Sequence, residues 1–313
     1  MIKLNMADTI RMAAGAIILF FVFMVVFHFY QEQKQNSAEL LALKASRVDL
    51  VSRMRLALAS ASEAEKSAVL AITDQDSKTF ADQARVATAE VEMARRELGE
   101  LLKTSGNQGE KELFNQFSEC FNDFQKIDND LLPLAIKNTN LKAYSLTFGP
   151  AASALKDMNA ALSHLIESFA GSMEEKKVMS LAYGAEISGL RLQALIPPHI
   201  AEESDRKMDE LEDLMSRDDR QIKKNLDELA ALSKVNHNAY LTAAVSSYAR
   251  FGKIKTQILA LSRENTNVKS LSISLNQKRK VMLLCQDTLD KLQQAILAEP
   301  IAGVTYGRPP RPR

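Results

Sequence analysis

The sequence predicts an all-α protein: an N-terminal transmembrane helix followed by two tandem up-down-up-down four-helix bundles. Three observations predict it. The 313 residues carry only 11 Gly and 8 Pro, no Trp, and an abundance of Ala, Leu, Lys, Glu, Gln and Met, the strong helix formers. An uncharged run from Met12 to Tyr30 lies near the start. Apolar residues then recur at alternating spacings of three and four for many turns, the seam of a helical bundle. Four of the prolines (Pro300, Pro309, Pro310 and Pro312) fall in the C-terminal tail, so the body has too little turn chemistry for a many-stranded sheet protein. With 40 basic against 39 acidic side chains there is no global field to gather nucleic acid, which is excluded as a partner.

In chain order, residues 1–11 read as a cytoplasmic tail and 12–30 as an anchor, about 28 Å long at 1.5 Å per residue and matched to a bilayer core. The run is longer than a signal-peptide core, and His28, Phe29 and Tyr30 stand where small residues would mark cleavage. Lys3 and Arg11 precede the span, which orients the N-terminus to the cytoplasm and places residues 31–313 outside it. No second apolar run of that length follows, so the expected route of signalling is through a separate transmembrane partner.

Residues 31–170 are expected to form the first bundle. Its helices carry the stripes Val51, Met54, Leu58, Ala61, Glu65, Ala68, Ile72; Phe80 to Leu101; Leu113 to Leu134; and Leu141 to Phe169. Asp74 is expected to cap the second helix, and Gly149-Pro150 to kink the fourth. The pattern recurs at one constant offset, without a gap: Phe124, Lys126, Ile127, Asn138, Thr139, Asn140 and Lys142 meet Phe251, Lys253, Ile254, Asn265, Thr266, Asn267 and Lys269. A second bundle over 171–298 follows, with a break at Pro197-Pro198 and a Pro/Arg-rich tail over 299–313. A turn at Ala170-Gly-Ser172 is expected to lay the two bundles side by side.

Catalytic chemistry has no candidate. Phosphate-loop, zinc-pair, haem-attachment and nucleophile-elbow motifs are absent, none of His28, His164, His199 and His237 follows Glu by three residues, and no metal, cofactor or enzymatic activity is expected. Cys120 and Cys285 read either as two small buried residues or as one disulfide. His199 reads as a turn residue. The duplicated Asn138, Asn140, Lys142 and Asn265, Asn267, Lys269 sit where a third helix turns into a fourth; they serve either as helix caps or as amides and ammonium groups for a carboxylate ligand. Lys278 occupies a position where the stripe from Val268 to Ile296 demands an apolar residue, and Asp218 and Asp219 interrupt another stripe one helical turn away in depth. With Ser247 and Arg250 at a similar level, these residues compose a charged layer that is an ion pair, a solvated slip of register or a ligand site.

A short tail, an anchor, a long first helix and the connection LAIKNTNLKAYSL into the fourth helix resemble the four-helix-bundle sensory modules of bacterial methyl-accepting chemotaxis receptors and sensor kinases. The resemblance covers residues 31–170 and, more weakly, 171–298. It implies small-molecule sensing on the outer side of the bacterial inner membrane with a periplasmic body, and a homodimer as one possible assembly; the single apolar run at 12–30 makes the expected topology single-pass, without the second span of that family. It also implies that Arg47, Arg53 and Arg55 on the first helix resemble the arginines with which such modules grip acidic ligands. The functional expectation is a membrane-anchored ligand-binding sensor. The alternative is a structural tether or envelope scaffold with no small ligand.

Overall fold

The computed structural model of the protein describes the backbone of residues 6–300 and, within that range, the side chains of all but residues 6–21, 29–30 and 32–37. Every regular element among the described residues is helical: α1 (Met6–Leu70), α2 (Asp74–Ser105), α3 (Gln108–Lys137), α4 (Thr139–Leu146), α5 (Ala152–Ser168), α6 (Glu175–Ala201), α7 (Asp205–Ala231), α8 (Ala239–Glu264), α9 (Thr266–Ile273) and α10 (Arg279–Ala298). Two π-turns, Thr147–Ala151 and Ser274–Lys278, join α4 to α5 and α9 to α10. The first contains Pro150, which cannot donate into the ladder, so the expected kink takes the form of a wider turn. Pro197 and Pro198 do not break α6, which runs on to Ala201. Thr73 caps α2 in place of Asp74: its Oγ1 accepts the Asp76 N–H at 3.0 Å.

The expected anchor falls within α1, but the side chains of its residues 12–21, 29 and 30 lie outside those described. Val22 to Phe27 are described and are 49 to 65% exposed. Among the described residues, no helix is long and apolar enough to cross a membrane.

The chain divides into two compact units. The first draws on Met1–Ala59, Ala87–Asn122 and Leu283–Arg313. Leu50, Met54 and Leu58 of α1, Val91 and Leu98 of α2, Phe117 and Phe121 of α3, and Leu289 and Leu292 of α10 are buried there. Cys120 and Cys285 form a disulfide that staples α3 to α10, with Cα atoms 5.7 Å apart, which decides between the two readings of the cysteines. Arg47 is buried, and its guanidinium reaches Glu110 and Glu299 at 2.7 Å each and the carbonyl of Ser105 at 3.2 Å. Lys44 donates to the carbonyls of Leu297 and Glu299, closing the C-terminal end of α10 from α1.

The second unit comprises Ser60–Val86 and Asp123–Met282, and it shows which helices share a core. Helices α4–α5, α6, α7 and α8 surround one cluster that includes Leu155, Met158, Leu192, Ile196, Ile222 and Phe251. Ala68 and Val69 of α1, Ala81 and Ala84 of α2, and Leu131, Leu132 and Ala135 of α3 form another, with Ile273 of α9 packed against it. The fourth helix of each expected bundle therefore packs with the other repeat, which corrects the grouping of 31–170 against 171–298. The reason is the connection length. Only Asn138 separates α3 from α4 and only Asn265 separates α8 from α9, whereas an antiparallel helical hairpin needs about two to five linking residues. With φ near 52° and 55°, each Asn redirects the chain without reversing it. The turn after α5, where Gly171 has φ 76°, joins α5 to α6 within one core.

The two crossings hold each other. Thr139 N–H donates to Thr266 Oγ1 at 3.2 Å and Thr266 N–H to Thr139 Oγ1 at 3.1 Å; Asn140 and Asn267 exchange the same kind of bond, each at 3.1 Å. Asn138 Nδ2 donates to Ser77 Oγ at 2.8 Å, and its Oδ1 accepts from Asn267 Nδ2 at 2.8 Å. These amides satisfy backbone and side-chain donors that burial would otherwise strand. Replacing Asn138 by Ala should cost about 2 to 4 kcal/mol, from left-handed strain plus the loss of three side-chain hydrogen bonds, to Ser77, Asn267 and Asp74, while Asn138→Gly should cost about 1 kcal/mol less because glycine tolerates the conformation. Urea unfolding of the two variants measures the difference, and equal losses would show that the backbone conformation at residue 138 carries no strain.

Candidate functional site

Residues at the core positions of α1, α3 and the second π-turn bring three ionisable side chains together inside the second unit. Lys278 is 1% exposed, Asp128 5% and Glu65 fully buried. The sequence puts them there by period. Glu65 lies four residues from Ala61 and three from Ala68, both fully buried. Asp128 lies four from Phe124 and three from Leu131. Along α9 and the π-turn that follows it, the expected stripe through Leu271 and Leu275 is exposed, 40% and 55%, and the buried line is Thr266, Ser270, Ser274 and Lys278 instead. The π-turn Ser274–Lys278 keeps that spacing of four and points Lys278 inward.

Lys278 Nζ lies 2.5 Å from Asp128 Oδ1, donates to the Phe124 carbonyl at 3.1 Å and sits 2.9 Å from the centroid of the Phe124 ring. Among the described residues neither Glu65 oxygen has a hydrogen-bond partner of good geometry, although the Ser274 hydroxyl is close enough to pull its pKa partly down. Burial is the largest influence on all three groups. It raises Glu65 and Asp128 against the attraction of Lys278, and it lowers Lys278 to about 8 against the attraction of both carboxylates. The expected pairing of Lys278 with Asp218 or Asp219 is not observed, because α9 and α10 pack with α1 and α3 rather than with α7.

Asp219 has its own surroundings. Its Oδ1 accepts from Tyr248 at 2.5 Å and Lys255 at 2.9 Å, and its Oδ2 pairs with Lys223 at 2.7 Å. Against the burial that would raise it, these three donors hold the carboxyl at about 2, and burial together with the bonded carboxylate pushes the Tyr248 phenol up. A groove of about 510 Å³ between α7 and α8 opens on this knot, floored by Leu226 and Tyr248 and widened at Gly252, where an added Cβ would meet nothing within 4 Å. Sequence reasoning missed Tyr248 and Lys255. Lys255 is the repeat counterpart of Asp128, so the repeat itself marks the level at which each core becomes polar.

The other predicted residues are dispersed. Arg250 pairs at the surface with Asp157, and Ser247 is half-buried. Arg53 lies 3.9 Å from Glu97 and Arg55 meets Asp290 and Gln293, both largely exposed, while Arg47 is the buried clamp of the first unit. Lys142 and Lys269 donate to the carbonyls of Lys137 and Glu264, closing the helices that precede them. Asn138, Asn140, Asn265 and Asn267 hold the crossings. His199 is fully buried near the end of α6, bonded to Ser262 at 2.8 Å and Glu212 at 2.9 Å, so it is not a turn residue. Among the described residues no group of His, Cys, Asp and Glu could hold a metal ion.

Substitutions in the buried layer should have pH-dependent effects of predictable sign. Lys278→Met leaves Asp128 and Glu65 without a cation and should cost about 3 to 5 kcal/mol near pH 7.5, the cost shrinking as acid protonates both carboxyls. In the wild type a Glu65 carboxyl that ionises at higher pH in the folded than in the unfolded chain lowers stability as pH rises through that range, so Glu65→Gln should stabilise at pH 7.5 and change little near pH 4. Thermal unfolding of both variants from pH 4 to 8 reads the two slopes, and flat differences would place the layer in contact with water.

No curated protein and no solved structure matches the chain significantly. The family described as a four helix bundle sensory module for signal transduction matches residues 16–176, more than half of the chain, from within α1 to the first residues of α6. With an all-helical architecture, four-helix cores and that match, the chain belongs to the family of four-helix-bundle sensory modules for signal transduction.

Proposed function

We propose that the protein is a membrane-anchored, extracytoplasmic sensor that binds a small molecule within its helical cores and passes its state to a signalling partner. The observation that carries this reading is the layer of Glu65, Asp128 and Lys278. A tether needs only a packed apolar core, and volume-matched apolar residues in place of a buried charged group commonly leave stability unchanged or improve it. Three ionisable groups on three helices give the bundle an interior whose charge state a ligand or proton can change, and with it the fit of those helices. The groove at Asp219, Tyr248 and Lys255 supplies polar groups at an accessible level of the other core.

Two further features support the location. Val22 to Phe27 stand exposed on α1, as lipid-facing residues do, with the Phe23 and Phe27 rings stacked 6.1 Å apart. The Cys120–Cys285 disulfide belongs to an oxidising compartment. With the native cysteines paired, Tyr306→Cys supplies one free thiol, and it should react with a membrane-impermeant maleimide on intact spheroplasts. Reaction only after lysis would reverse the topology.

The sensory role is tested by thermal unfolding of the full chain in detergent micelles with amino acids, carboxylates and amines. A ligand of the folded state at one hundred times its Kd adds about 2.7 kcal/mol, which moves the midpoint by several degrees. No shift with any compound would favour the structural-tether reading.

A further inference from the structure

A second groove lies in the first unit, between the C-terminal half of α2 and the N-terminal half of α3, with a volume of about 480 Å³. Its floor is apolar. Gly99 stands inside α2, where glycine costs about 1 kcal/mol relative to alanine, and a Cβ there would come within 3.1 Å of the Phe114 ring. The glycine therefore lets the half-buried Phe114 lie against the α2 backbone, with Leu102 beside it as the buried end of the floor.

The rim is basic: Arg95, Arg96, Lys103 and Lys111 face one lining carboxylate, Glu100. Much of that charge is already committed. Arg95 forms a fork on Glu92 at 2.8 and 2.9 Å and reaches Ser118, and Lys103 holds Glu100 at 2.6 Å. Two cations keep free donors. Arg96 uses only its Nε, on Glu92 at 2.6 Å, which leaves both terminal nitrogens, and the Lys111 ammonium has no ion pair or hydrogen bond among the described residues. A guanidinium edge with two free nitrogens matches the two oxygens of a carboxylate, and an ammonium adds a point charge without geometric demand. An apolar floor under a cationic rim, in a volume typical of small-molecule sites, selects a ligand with an apolar ring and a carboxylate at one end.

We propose that this groove binds a small aromatic carboxylate, its ring on Phe114 and Leu102 and its carboxylate on Arg96 and Lys111. The inference goes beyond the core-binding reading above: it adds a site in the first unit and rests on that reading only for the sensory role. Neither the charged layer nor the groove at Asp219 takes part.

Because the chain contains no Trp, Asn115→Trp at the edge of the groove gives a single local reporter. In the full chain in detergent micelles, phenylacetate should change its emission saturably. Phenethylamine, which carries the same ring on an ammonium, should not. Adding Arg96→Gln and Lys111→Gln, both outside the core, should weaken the apparent Kd for phenylacetate at least tenfold while leaving the unfolding midpoint of the free protein in place. The chain with Asn115 intact, tested by thermal shift with phenylacetate, guards against perturbation by the reporter and should show a rise that the double substitution removes. Absence of both the emission change and the thermal shift overturns the groove proposal, as does a response that phenethylamine reproduces or that the double substitution leaves intact. The sensory reading falls only if the whole series of amino acids, carboxylates and amines also fails to bind.

Discussion

The one-residue connections at Asn138 and Asn265 decide which helices share a core. A chain that leaves a helix through one left-handed residue cannot double back within that residue, so α4 and α9 must each find partners other than the helix they follow. The polar lock between Thr139 and Thr266 and between Asn140 and Asn267 is the counterpart of that constraint. Where two helical connections meet in the interior, their backbone donors have no helical acceptor, and each strand of the crossing supplies the side chains that satisfy the other. Small residues on the buried faces of α4 and α9 and of the π-turns that follow them, Ala143, Thr147, Ser270 and Ser274, allow the close approach.

The same constraint generates the charged layer. Because α9 joins α1 and α3, Lys278 enters a core that already contains Glu65 and Asp128, and the π-turn turns its ammonium toward them. The layer has one more acidic than basic group, so full ionisation leaves a buried net charge, and burial opposes this by pushing the carboxyls up and the lysine down. Such an arrangement sets the relative fit of three helices through a few protons, whereas apolar packing depends on shape.

Much of this is legible in the sequence at the level of faces. Val51, Met54, Leu58 and Ala61 form one stripe and all are buried, and the repeat offset carries the left-handed Asn, the following Thr and the π-turn from one connection to the other. Periodicity tells which face of a helix is covered; it does not tell which helix covers it, so connection length alone separates the expected grouping of α4–α5 and α9–α10 from the observed one. Lys278 is visible as a charge in a stripe. Glu65 carries the same signal within the first stripe, while Asp128 is concealed because the apolar pattern of its helix also runs through the adjacent Ile127. Whether Cys120 and Cys285 bond depends on the placement of α10, which no local pattern encodes.

The disulfide has a consequence for the covalent topology of the chain. Cys120 and Cys285 are 165 residues apart, and their bond closes everything between them, including all of α4 to α8, into a ring. A peptide bond cut in the connection after α6 or after α7 opens that ring without releasing a fragment. The segment carrying α1 and the segment ending in α10 remain one molecule after such a nick, so under oxidising conditions the link between the N-terminal helix and the last helix outlasts damage to the connections between.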